Sequence, residues 1–494
     1  MIPFFAVYRP EKGPYTGGFE QLLRQDKTLY RVVSGRDDAP VTCFEGVFPD
    51  WAYDYVGDGG VAVVSGADKW TFSFDSGFLC KAGIEWIDLS FCNQGKARVS
   101  TGVSVFAGDG RGELTLHEFR NIKNNRRPGF YPIFLEKQYG KGCIIYTGVP
   151  MTDILTYEGS TLRNTSELLD LDERISSVDK QKVGAALREI LKDAMHKAGL
   201  PYVSLWYFPD GAKSVFAYSI DGDGLLTEGV NNLIEVSEET GAKFLFYINW
   251  ELCGDDPEIK EKLEAIARTN ILGSHAYIHN AHDSYEDNIK DIEAHEEWMH
   301  SYGVDFVKSF ASPRGMYCAN LGKALKDKGF RHTRDFGYSI DDYPYYPMTE
   351  GEQQAPLQIS SDGFNVCRWM IRNRDEEMPM PTADEIFEAY KKLMDLKLER
   401  RLPMLFFCHP QYFGLYSKEV YPKMVEYAKS IGAMITDYIA YGDFWIERDG
   451  AEYTADVKDG KLSVSFSNKP ESVRFCVDGE ICDPGDLDFT VDCK

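Results

Sequence analysis

SVFAYSIDGDG, residues 214–224, joins a continuous apolar run to an acidic, glycine-rich turn. SVFAYSI, residues 214–220, reads as a strand. Gly222 and Gly224 let the chain turn sharply and leave the carboxylates of Asp221 and Asp223 projecting from the strand's C-terminal end. Pro209-Asp210-Gly211 marks the turn that precedes the strand.

Downstream the pattern alternates. The spacing predicts helices near 228–240, 256–268, 284–302, 317–328, 382–398 and 418–430. Strands fall at KFLFYINW (243–250) and near 270–275, 305–311 and 403–408. Repeated strand–helix units make the strands parallel, as a barrel or an open sheet, with chemistry at the strand C-terminal ends. Upstream, GGVAVVSGA (59–67) and GKGCIIYTGVP (140–150) read as buried strands. VDKQKVGAALREILKDAMHKAG (178–199) reads as a helix stopped by Gly199 and Pro201. Beyond residue 445, EYTADV, KLSVSFS and SVRFCVD have period two and are separated by turn residues. The expected organisation is α/β. An N-terminal α/β layer domain (1–200) is followed by a (β/α) barrel-like domain (201–443) and a small C-terminal β-sandwich (444–494).

Four polar clusters fall where strands of the middle domain should end. Asp221-Gly222-Asp223-Gly224 could be a plain Asp-Gly turn or a calcium loop, but Asn232 occupies the twelfth position of such a loop and Leu225 its third oxygen position. His275 and His279 are spaced i and i+4, so one helical turn would let them share a divalent ion. His282 reads as a surface residue or a neighbour of that site, and His295 and His300 as solvated helix positions. Phe310-Ala311-Ser312-Pro313-Arg314-Gly315 forms the third cluster. In the fourth, His409 ends the apolar run Leu405–Cys408, where an imidazole needs a polar role or a hydrogen-bond partner.

The order of these clusters, over residues 212–440, resembles the polysaccharide deacetylase superfamily, the NodB-homology group that includes carbohydrate esterase family 4. The resemblance implies Asp221 as base and Asp223, His275 and His279 as ligands of a divalent metal. Zinc is the default ion, and cobalt, nickel or iron suit the same nitrogen and oxygen donors. It implies His409 as general acid and Asp335 as the carboxylate that orients it. Gly222 departs from an adjacent Asp-Asp pair, Ala276 stands at a Ser/Thr position, and Ala311 stands where the family has an arginine. Arg314, three residues later, is expected to reach back to Asp221 in its place. The implied reaction is hydrolysis of the acetamide of an N-acetylated sugar or oligosaccharide. Two rivals are a related amidohydrolase acting on a small non-sugar amide and a carbohydrate-binding protein with a decayed site. The aromatic run Phe336-Gly337-Tyr338 and Tyr343-Pro344-Tyr345-Tyr346-Pro347 suits a sugar-facing wall or core packing equally. The N-terminal region loosely resembles class I glutamine-amidotransferase-like domains. Cys143 lies inside a strand and Ser65 stands where a nucleophilic cysteine would be needed, so that domain is expected to be catalytically silent.

Composition narrows the partners. Acids outnumber bases 78 to 54, a formal charge of −24, which disfavours nucleic acid and anionic lipid as partners. No stretch approaches the roughly 20 apolar residues that span a bilayer. The start has no secretory pattern. The 11 cysteines are scattered without a CxxC pair, which excludes a disulfide framework and favours a cytoplasmic location. The sequence leaves the oligomeric state open.

Overall fold

The structure is a computed structural model. It describes residues 1–488 apart from 11–16, 67–77, 90–91, 107–133, 149, 151–153, 156–159, 164–172, 177, 336–342, 350–351, 354, 363 and 469. Two compact units divide the chain. One comprises Met1–Glu158, Ser177–Tyr207 and Glu447–Lys494, and the other Gly159–Ser176 and Phe208–Ile446. Among the described residues no helix is long and apolar enough to cross a membrane.

The second unit is built on an eight-stranded sheet whose strands are all parallel. Its strands are β1 (Ser214–Gly222), β2 (Phe244–Ile248), β3 (Ile271–Ser274), β4 (Ser309–Ala311), β5 (His332–Arg334), β6 (Leu357–Gln358), β7 (Met404–Cys408) and β8 (Ala433–Ile435). The order is β6-β5-β4-β3-β2-β1-β7, with β8 also paired to β1, which makes a (β/α) barrel-like sheet. Its longer helices are α1 (Thr227–Thr240), α2 (Ile259–Thr269), α3 (Tyr285–Ser301), α4 (Ala319–Asp327), α5 (Val366–Asp375), α6 (Ala383–Glu399), α7 (Phe413–Ser430) and α8 (Tyr438–Gly450), and a single helical turn spans Trp250–Cys253. Every residue of β1, β2 and β7 is buried, which is why those runs show no alternation.

Local chemistry sets several boundaries. The Ser284 hydroxyl accepts from the Asp287 amide at the start of α3. Thr382 and Glu385 make a reciprocal capping box on α6. α7 starts at Phe413, five residues before the expected position, and carries Pro422 in its interior. Its first turn is held by packing: the Phe413 ring stacks on Tyr218 of β1 at 4.6 Å. Tyr218 in turn shares a 2.7 Å hydroxyl contact with Tyr390 of α6.

The first unit contains a six-stranded sheet. In sheet order its strands are Tyr30–Val33, Phe5–Tyr8, Val41–Glu45, Val61–Ser65, Gly142–Thr147 and Phe134–Tyr139. The last pair is an antiparallel hairpin and the other pairings are parallel. The C-terminal strands form two small three-stranded antiparallel sheets, and Phe466 and Phe475 stack between them at 4.3 Å. Two features differ from the expected 444–494 domain. The three residues Val203–Leu205 complete one of these sheets, and Glu447–Lys494 join the N-terminal segments in one unit. The buried guanidinium of Arg448 accounts for this, donating to the carbonyls of Gln25, Leu205 and Trp206. A strand of three residues is too short to announce itself by periodicity.

Gly229 of α1 and Gly414 of α7 let these helices approach backbone to backbone. A Cβ on Gly229 would lie 2.1 Å from the Pro410 carbonyl oxygen, one residue beyond His409. Gly229→Ala is therefore expected to lower the unfolding free energy by about 1–3 kcal/mol, the usual cost of overpacking, read as an earlier urea midpoint.

Candidate active site

Asp221 lies near the C-terminal end of β1, and Asp223 follows that strand. His275 follows β3 and His409 follows β7, so parallel strands of one sheet deliver all four to one rim. His279 joins them from the loop after His275. That loop is not the helical turn expected from the i, i+4 spacing. Ala276 sits in the left-handed region at φ 68°, and residues 275–279 form an extended turn. The helix is broken because side chains capture amides that a helix would bond internally: Asp291 takes those of Tyr277 and Ile278.

Three imidazole nitrogens converge on one carboxylate. His275 Nε2 is 3.1 Å from Asp223 Oδ1, and His279 Nε2 and His409 Nε2 are each 3.3 Å from Asp223 Oδ2. His275 Nδ1 donates to the Ala311 carbonyl at 2.8 Å, so its Nε2 is the nitrogen left with a free lone pair. Asp223 Oδ1 and the Nε2 atoms of His275 and His279 are buried and make no hydrogen bond. Lone pairs and a carboxylate this close, out of water, repel unless a cation lies among them. One donor atom each from Asp223, His275 and His279 lies within 4.8 Å of the others. This is the one such cluster among the described residues, and its two nitrogens and one oxygen fit a zinc-like ion.

The charges reinforce one another. Burial would raise the carboxyl of Asp223, but the surrounding histidines outweigh it and hold the group far below the ordinary range. Burial would lower His275, yet Asp221 and Asp223 raise it. His409 is raised well above the ordinary histidine value, against burial, chiefly through Asp223. The Gln411 amide donates to the Asp223 carbonyl at 3.1 Å and fixes the turn between them.

Asp221 is buried, and its partner is not the expected arginine. Arg314 has its backbone at φ 56° in the single turn Pro313–Gly315, and its side chain is exposed. The guanidinium that bonds Asp221 belongs to Arg334, at the end of β5. Ala311 and Arg334 are register partners on adjacent strands, so the cation is supplied from the same height one strand further along the sheet. The rings of Phe407 and Tyr247 flank it, 4.6 and 5.2 Å from the guanidinium carbon. Burial would raise Asp221, but Arg334 first, then His275 and His409, outweigh it and keep the carboxylate ionised. The sequence hint was an arginine two residues after His332 in a strand too short to score as one.

Other expectations resolve differently. Asp335 is buried immediately after β5. His295, expected in solvent, is fully buried and donates through Nε2 to the Ile248 carbonyl at 2.9 Å. Burial pushes it down to about 4, so it stays neutral. His282 is half-buried, with Nε2 3.6 Å from Asp291, and His300 is exposed. Residues 336–342 of the aromatic run lie outside the described residues. Tyr343 and Tyr345 are buried, and the Tyr343 hydroxyl donates to the Arg401 carbonyl, which makes these two rings packing. Asn249, Glu251 and Asp291 were not singled out in the sequence, because each contacts backbone rather than a motif side chain.

Arg334→Met leaves Asp221 buried without its main partner, and about 3 kcal/mol of stability should be lost. Arg314→Ala should stay within about 0.5 kcal/mol of the parent in the same urea titration. Equal effects from the two variants would contradict the pairing.

Comparison with known proteins bears on the same region. No curated protein matches the chain. Among solved structures, a carbohydrate deacetylase is 11% identical, with 97% of this chain and 92% of that chain covered and a TM-score of 0.38. The chitin deacetylase of Colletotrichum lindemuthianum is 14% identical over 47% of this chain and 89% of its own, with a TM-score of 0.34. A family 4 carbohydrate esterase from Streptomyces lividans is 13% identical over 45% and 92%, with a TM-score of 0.31. These likenesses are too distant to carry an argument of their own. Residues 209–333, which contain Asp221, Asp223, His275 and His279, match the polysaccharide deacetylase family.

Proposed function

We propose that the second unit is a metal-dependent deacetylase that hydrolyses the acetamide of an N-acetylated sugar or glycan. The observation that carries this reading is the convergence of His275 and His279 on Asp223 with their Nε2 lone pairs unspent, beside an ionised Asp221. A divalent ion held by Asp223, His275 and His279 would act as a Lewis acid, lowering the pKa of water and polarising the acetyl carbonyl.

The chain's own residues supply the proton transfers. Asp221, kept ionised by Arg334, accepts the proton of the attacking water. His409, whose Nε2 lies at the same rim 3.3 Å from Asp223, is placed to protonate the leaving amine. That transfer turns the nitrogen into a good leaving group as the C–N bond breaks and acetate is released. The resemblance implies Asp335 as the carboxylate that orients His409, but His409 Nδ1 is buried without a hydrogen-bond partner and its Nε2 faces Asp223, so no orienting role is assigned to Asp335. The acidic surface suits a neutral sugar, whose product is a cationic amine.

Loss of the usual arginine at Ala311 would favour a decayed binding module. Arg334 removes that argument by providing the same charge. No chemistry is assigned to the first unit, whatever its kinship to amidotransferase-like domains. Cys143 is buried inside Gly142–Thr147, where burial pushes its thiol up to about 12, and Ser65 is wholly buried.

The test is free acetate released from a panel of N-acetylated oligosaccharides and small amides. Asp221→Asn and His409→Ala should each lose about 10²–10⁴ in rate. Parent-like rates in either variant would remove that residue's role. Acetate from simple amides but from no sugar would favour the small-amide reading.

A further inference from the structure

Between the two histidines of the proposed metal site, side chains from elsewhere hold almost the whole backbone. The Tyr277 and Ile278 amides donate to the two oxygens of Asp291, at 2.9 and 2.8 Å. The His279 amide donates to Glu251 Oε2 at 2.7 Å. On the carbonyl side, Asn249 Nδ2 donates to His275 O and Ala276 O, both at 2.9 Å, and the Glu251 amide donates to Tyr277 O at 3.0 Å. Asn249 is itself fixed, since it is fully buried and its Oδ1 accepts from the Leu252 amide at 3.0 Å. None of these side chains lies in the motif they support. Asp291 comes from the middle of α3, and Asn249 and Glu251 follow β2.

The arrangement opposes a real cost. Ala276 is left-handed at φ 68°, a conformation that disfavours a residue with a Cβ, and the turn leaves successive amides without partners in their own segment. Two carboxylates and one amide side chain answer those amides and carbonyls from three sides. A loop so fully bonded has little freedom to rotate His275 away from His279.

We propose that Asp291 and Glu251, together with Asn249, are positioning residues that set His275 and His279 as a ligand pair before any ion arrives. The inference rests on the metal reading above and goes beyond it. It places a determinant of metal affinity in residues that touch neither the ion nor the substrate. Outer partners of this kind typically govern metal affinity by about 10–100-fold.

The experiment measures zinc and cobalt affinity of full-length, metal-stripped protein by competition with a chromophoric chelator. Glu251 is exposed, so its variants should fold normally. Glu251→Ala should weaken both ions by about 10-fold or more. Glu251→Gln keeps an oxygen acceptor for the His279 amide and should stay within about 3-fold of the parent. Asp291→Asn can serve only one of its two amides and should fall by about 10–100-fold. With cobalt, its visible absorption should change shape at saturation. Unchanged affinity in both Glu251→Ala and Asp291→Asn would overturn the proposal. So would Glu251→Gln as weak as Glu251→Ala, which would make net charge the operative factor. A parent protein that takes up neither ion would instead overturn the metal reading itself.

Discussion

A half-buried carboxylate faced by three imidazole nitrogens at 3.1 to 3.3 Å is the constraint around which the second unit is arranged. Such a group is costly to bury unless positive charge is brought to it. The protein brings it in two ways. Arg334 is bonded to the neighbouring Asp221, and the imidazoles of His275 and His279 face Asp223 with Nε2 atoms that make no hydrogen bond. The first holds Asp221 ionised, and the second is the geometry on which the proposed metal site rests.

The sheet makes this affordable. Parallel strands end together, so side chains separated by nearly 200 residues arrive at one level without long, floppy loops. Register then sets the height of each group. Ala311 and Arg334 are register partners on adjacent strands, and it is Arg334 whose guanidinium reaches Asp221. The pairing at this rim is therefore set by position on the sheet more than by any single motif. A motif scan centred on Ala311 would judge the site broken.

Much of the fold was legible from the chain. Fully buried parallel strands such as Ser214–Gly222 and Met404–Cys408 are long apolar runs, and the helices between them carry caps and periodicity, so the barrel-like alternation followed. The short strands His332–Arg334, Leu357–Gln358 and Ala433–Ile435 carry no periodic signal and were missed, whereas Ser309–Ala311 falls inside the run expected near 305–311. Arg334 went unassigned with them. The grouping of Asp221, Asp223, His275, His279 and His409 was readable because each ends or follows a strand. The manner of the grouping was not. The i, i+4 spacing of the histidines suggested a helical turn, whereas Asp291, 12 residues beyond His279, pulls the loop into another shape through backbone bonds. Long-range hydrogen bonds from side chain to backbone leave no local trace in sequence. The same limit explains His295, whose place in the helix pattern gave no sign that it is fully buried against the Ile248 carbonyl.

The central claim is that Asp223, His275 and His279 form one divalent-metal site. Elemental analysis of the purified chain, dialysed and reloaded with zinc, tests it most directly. About one ion per chain is expected in the parent, following the three-ligand rule, with loss of that ion in His275→Ala and in His279→Ala. Metal content unchanged by both substitutions would contradict the account.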